Sequence, residues 1–117
     1  MEKEKIRVLK FNLGSRRPAV VWITNTIENF KKNIGMPGEA DEMFLHYLKH
    51  LRCVRGERVL VAVACIDGKE KGYALNRNVW DRIKIYGDFF ITAYEQKAHA
   101  FKSLSDTEIA EIKKTIK

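Results

Sequence analysis

The sequence predicts an α+β domain in which an antiparallel sheet of about five to six strands packs against two to three helices. Three observations carry that expectation. β-Branched and aromatic runs are bounded by Gly, Asp and Pro turns; apolar residues recur at helical spacing after Asn25 and Glu39; and a Ser105-Asp106-Thr107-Glu108 capping box precedes the last apolar stripe. The 117 residues, 45% of them hydrophobic, suit one domain, 1–117, with a single core.

Ile6–Leu13 and Val20–Thr24 read as strands, and Gly14-Ser15-Arg16-Arg17-Pro18 between them is turn chemistry, so the pair predicts an antiparallel hairpin with a basic, exposed tip. Asn25 with Glu28 three residues later marks a helix start, Ile27, Phe30 and Ile34 give its apolar stripe, and Gly35 stops it. After Met36-Pro37-Gly38, the set Ala40, Met43, Phe44, Tyr47, Leu48 and Leu51 fits a helical period better than alternation, predicting a second helix over 39–51. Its acidic first turn and basic last turn suit the helix dipole.

Val59–Ile66 (VLVAVACI) is an unbroken apolar run, expected as the most buried, central strand. Asp67-Gly68-Lys69 then turns the chain into a short return strand, Tyr73–Leu75. Ile83–Tyr86 and Phe89–Tyr94 read either as two strands or as one strand bulged at Gly87. Ala98–Leu104 adds an edge strand, and Ile109, Ile112 and Ile116 line the final helix.

Lys and Arg number 22 against 15 Asp and Glu, a formal charge of +7 that favours anionic partners. The two cysteines, Cys53 and Cys65, lack CxxC spacing and read as buried thiols. MEKEKIRV has no apolar signal core and no apolar run approaches a membrane span, so the expectation is a cytoplasmic protein with no membrane partner. His46 and His50 stand at i and i+4, but without a third ligand or HExxH order no metal is expected.

The segment Gly72–Tyr94 sets a polar Asn76-Arg77 pair between apolar runs. Arg77 offers a planar guanidinium to phosphate, Asn76 both a donor and an acceptor to a base edge or ribose, and Tyr73 or Trp80 a flat stacking wall; Arg16, Arg17 and Arg55 are supplementary phosphate contacts. The alternative is structural: Asn76 caps a turn, Arg77 pairs with Asp81, and Trp80 fills the core. Asp81, Asp88, Glu95 and His99 are the available acids and base, but no spacing selects a nucleophile or an oxyanion site, so the chain reads as noncatalytic and without a cofactor. Phe89, Phe90, Ile91 and Tyr94 carry more aromatic surface than one side of a small sheet hides, which predicts a homodimer or higher homo-oligomer.

Read together, IRVLKFNLG, ITNTIENFKKNIG, IDGKEKGYALNR, IYGDFFIT and FKSLSDTEI resemble, in the same order, a phage and mobile-element family catalogued as domain of unknown function 3846. The sharpest matches are Leu75-Asn76-Arg77, Gly87-Asp88-Phe89-Phe90 and Ser103-Leu104-Ser105. The family typically has a Gly-Gly and a short strand directly after its first helix, where this chain has Ile34-Gly35-Met36-Pro37 and then a longer segment of helical period. The resemblance implies an accessory protein that acts against bacterial defence in the host cytoplasm. The expected function is noncatalytic sequestration of a phosphate-bearing nucleotide signal. Its alternative is an inhibitor that binds nucleic acid or a nucleic-acid-guided nuclease complex through a face built from Arg16, Arg17, Lys31, Lys32, Arg52, Arg55 and Arg58.

Overall fold

The computed structural model describes residues 4–34, 43–48, 51, 56–65, 70, 72–80 and 83–116, with the side chains of 43, 44, 77–80 and 83 outside the description. In chain order the elements are β1 (Lys5–Phe11), β2 (Ala19–Thr24), α1 (Ile27–Asn33), β3 (Met43–Tyr47), β4 (Arg58–Cys65), β5 (Leu75–Trp80), β6 (Ile83–Tyr86), β7 (Phe89–Glu95), β8 (Ala100–Lys102) and α2 (Asp106–Thr115). The fold is α+β, with more strand than helix. A six-stranded sheet runs β2-β1-β7-β4-β3 with β8 also paired to β7, and β5-β6 form a second, two-stranded sheet.

β7 is the axis. One side of it pairs with β4 from Phe90 to Glu95, while the other is shared, β1 taking Phe89–Ile91 and β8 taking Ala93–Glu95. Strand alternation then sends side chains to two faces, and both are covered. Leu9, Phe11, Leu60, Ala62, Phe89, Ile91 and Ala93 pack with Ile109 and Ile112 of α2, with Ile116 just after it, and with Ile85 of β6. Ile6, Val8, Val59, Val61, Val63 and Phe90 pack with Phe30 of α1 and with Ile34 at its C-cap. Phe89 stacks on Phe11 at 4.6 Å, and Phe30 meets Phe90 and Phe101 edge-on at 5.2 and 4.9 Å.

The two-faced sheet removes the argument for a dimer through the Phe89–Tyr94 aromatics. Phe89, Phe90 and Ile91 are fully buried within one chain, because successive residues enter opposite cores. β4 is buried at every position after Arg58, as an unbroken apolar run predicts for an interior strand.

The hairpin forms as predicted, with Lys5 opposite Thr24 and Lys10 opposite Ala19. The capping box also forms: Ser105 Oγ accepts from Glu108 N–H at 3.2 Å, and Ser105 N–H donates to Glu108 Oε1 at 2.8 Å. At α1 the cap is Thr26 rather than Asn25, whose side chain donates instead to Phe101 C=O. Ile27, the first residue of α1, is 55% exposed, while Phe30 and Ile34 are buried.

The predicted helix over 39–51 is overturned where it is described: Met43–Tyr47 is a strand, antiparallel to β4 with Leu45 opposite Val63. β4 offers each of these residues a ladder partner, which outweighs a helical period that only sequence supports. Tyr73 lies before β5, not in it, and β5 pairs with β6 instead of returning along β4. Ile83–Tyr86 and Phe89–Glu95 are two strands in different sheets, separated at Gly87. Its φ is +86°, and an added Cβ would sit 2.8 Å from the Tyr73 ring, so both backbone and space require glycine.

On β3, burial holds the His46 imidazole below its ordinary pKa. A base with a depressed folded pKa stabilises the fold above its unfolded pKa and loses that contribution as pH falls through the folded value. The thermal midpoint is therefore expected to drop on acidification from neutral pH, and to drop less in His46→Gln, by calorimetry over a pH series.

Candidate binding surface

Two polar joints fix the hairpin tip. Asn76 Nδ2 donates to Phe11 C=O and to Gly87 C=O, both at 2.9 Å, so one amide ties the end of β1 to the turn between the two sheets. Asp88 Oδ1 accepts from Leu13 N–H at 2.7 Å, joining the same turn to the loop itself. Within the loop Ser15 N–H donates to Asn12 C=O and Ser15 Oγ to Arg17 C=O. Arg16 and Arg17 are exposed at the tip that these bonds hold.

The predicted Gly72–Tyr94 site is thus distributed differently from its sequence reading. Both hydrogens of the Asn76 amide serve backbone carbonyls, so they are engaged within the fold rather than held out to a base edge. Tyr73 is partly buried, with its ring against Gly87. Arg77 and Trp80 lie on β5 with side chains outside the description, and Arg55, like Arg52, Cys53, His50 and Asp81, lies outside the described residues. Asp88 is a turn residue. His99 has φ +50° in the turn before β8, with Nδ1 3.4 Å from Tyr94 Oη.

Among the described residues, Arg58 stands apart from the basic hairpin tip. Phe89 pairs with Phe11 beside the tip, whereas Glu95 pairs with Arg58, so six residues of β7, roughly 20 Å, separate the two. Arg58 is also committed: its Nε and Nη2 donate to the two Glu108 oxygens at 2.9 and 2.8 Å, and Nη2 to Ser103 C=O at 2.9 Å. Burial opposes ionisation of Glu108, but the bonds from Arg58 and Ser105 with the Arg58 charge outweigh it and hold the pKa below its ordinary value. Beside this pair lies an open cleft of about 390 Å³ lined by Glu57, Arg58, Glu95, Lys97 and Ala98. Its two carboxylates and its neutralised arginine do not make a phosphate site.

Arg7 is engaged in the same way. Its Nε and Nη2 donate to Leu104 C=O at 3.0 and 2.7 Å, and Nη1 meets Asp106 at 3.1 Å, anchoring α2 to β1. Directly across the ladder from Arg7 stands Trp22, 62% exposed, with Val20 on the same face 44% exposed and Lys5 exposed one pair beyond. Trp22 lies four residues from Pro18, roughly 13 Å along β2, so one strip carries Lys5, Trp22, Val20 and the Arg16-Arg17 tip. Trp22 does not stand out in the sequence, because VVWIT reads as an ordinary strand. Its outward alternation beside Val20 is the one local signal, and only the sheet order reveals β2 as an edge.

Among the described residues no helix is long and apolar enough to cross a membrane, and no three His, Cys, Asp or Glu side chains gather as a metal site. Comparison with protein-family models, curated proteins and solved structures finds no match to this chain.

Proposed function

We propose that this protein is a noncatalytic binder of single-stranded nucleic acid, with Trp22 as the stacking platform and Lys5, Arg16 and Arg17 as phosphate contacts. The observation that carries the reading is the exposed Trp22 ring on an open strip with cations at both ends. An indole accepts any base on its face, and cations in line with it follow a backbone without reading sequence. An open strip suits a polymer better than a small nucleotide, which calls for a concave site with convergent polar groups. Under the family resemblance, such a binder acts against bacterial defence by occupying nucleic acid or the nuclease complex that holds it.

Fluorescence anisotropy with labelled single-stranded oligonucleotides tests this. Trp22→Ala is expected to weaken binding about tenfold, equivalent to roughly one stacked base. R16A/R17A is expected to reduce the slope of log affinity against log salt by about 0.7 for each phosphate no longer neutralised. Oligonucleotide binding unchanged in Trp22→Ala, or tight binding of mononucleotides alone, overturns the reading in favour of nucleotide sequestration.

A further inference from the structure

The outer edge of β2 has an unusual arrangement of backbone groups. Asn25 N–H donates to Glu4 C=O at 2.8 Å, which makes Glu4 and Asn25 a bonded pair. Bonded pairs recur at alternate residues of an antiparallel ladder, so Ile6–Ile23, Val8–Val21 and Lys10–Ala19 are bonded too. Val20, Trp22 and Thr24 belong to the intervening pairs and turn their N–H and C=O away from β1. Two contacts agree with this parity. Thr24 N–H donates outward to Asn29 Oδ1 at 2.9 Å, and Arg7, the partner of Trp22, uses its own outward groups on Ser103 Oγ and Leu104 N–H, both at 2.9 Å.

The ends of the edge are closed. Asn29 takes the Thr24 N–H, and Thr26 N–H donates to Thr24 C=O at 2.8 Å. At the other end the same parity falls on Pro18, which has no N–H to give. Between them Val20 and Trp22 each keep a donor and an acceptor with no partner among the described residues. The stops at 18 and 24 lie equally far from Val21, so the open window is symmetric about that residue. The strand AVVWIT also carries no charge, Gly or Pro, the devices by which edge strands ordinarily repel a second strand.

We propose that β2 pairs with β2 of a second copy of this chain, antiparallel about a twofold axis at Val21, joining two sheets into one. Val20 then faces Trp22 of the second copy, and Trp22 faces its Val20, each pair exchanging two backbone bonds and closing an aromatic against a β-branched side chain. The charges also match. The register sets Arg17 opposite Asn25 of the second copy, whose amide lies 3.5 Å from the Glu4 carboxylate, so a basic tip meets an acidic turn at each end. Both Trp22 rings stay on one face. The pairing does not depend on the nucleic-acid reading and is tested without ligand.

Sedimentation equilibrium over a roughly hundredfold concentration range is expected to show a monomer passing to a dimer, consistent with a small interface. V20K/W22K sets like charges opposite each other and is expected to remain monomeric with an unchanged circular dichroism spectrum. V20E/W22K sets opposite charges in the same register and is expected to restore the dimer. The Val20 and Trp22 amides are expected to exchange more slowly as wild-type concentration rises. A wild-type monomer throughout, a V20K/W22K dimer, or a V20E/W22K monomer overturns the proposal.

Discussion

Asn76→Asp is expected to destabilise the fold by about 3 kcal/mol, with Asn76→Ala costing about 2 kcal/mol, by denaturant unfolding. The amide donates to two carbonyls, Phe11 and Gly87, that come from different parts of the chain and join the two sheets. Alanine leaves both without that donor in a partly buried joint. Aspartate, nearly the same shape, also brings a negative charge against two carbonyl oxygens, so the pair of variants separates missing bonds from added repulsion. The Leu13–Asp88 bond sits beside this joint, so the hairpin tip is expected to loosen with it, seen as faster amide exchange at Leu13. If Asn76→Asp leaves stability untouched, the amide is not a strut, and its sequence reading as a ligand contact regains its footing.

Glu108→Ala is expected to cost about 2–3 kcal/mol, below the range for a fully buried pair because the Arg58 side chain is 31% exposed. Glu108 itself is 5% exposed and closes three bonds at once, two from Arg58 and one from Ser105 N–H. Its removal breaks the tie between the start of α2 and Arg58 of β4 and opens one half of the capping box, leaving Ser105 N–H without that acceptor. The same carboxylate makes the fold acid-sensitive. Because its folded pKa lies below the unfolded one, its contribution is fully present above the unfolded value and is lost as pH falls through the folded value. Glu108→Gln keeps an acceptor for Ser105 N–H but removes the charge, so its unfolding free energy is expected to change less with pH across the carboxylate range. Equal pH dependence in wild type and Glu108→Gln would assign the acid sensitivity elsewhere.

Elements fixed by near neighbours were legible from sequence. The β1–β2 hairpin follows from an alternating run and a β-branched run around the Gly14–Pro18 turn, and the α2 cap from Ser105 and Glu108 three residues apart. Both signals act within a few residues, where side-chain chemistry selects backbone geometry directly. β3 was not legible. Its apolar residues fit a helical period, and what overrode that local signal was β4, which offers an edge to Met43–Tyr47 across the sheet.

The candidate site divides along the same line. Residue types alone established a single basic α+β chain with exposed arginines at a turn. Whether a polar side chain faces a guest or a carbonyl depends on what the fold places beside it: Asn76 meets the backbone of Phe11, 65 residues away. Likewise Trp22 is an ordinary strand residue in sequence. It becomes a surface because sheet order leaves β2 at the rim, where no further strand among the described residues covers its ring or accepts its backbone bonds. Short-range chemistry wrote the elements, and long-range pairing decided which of their groups remain available to a partner.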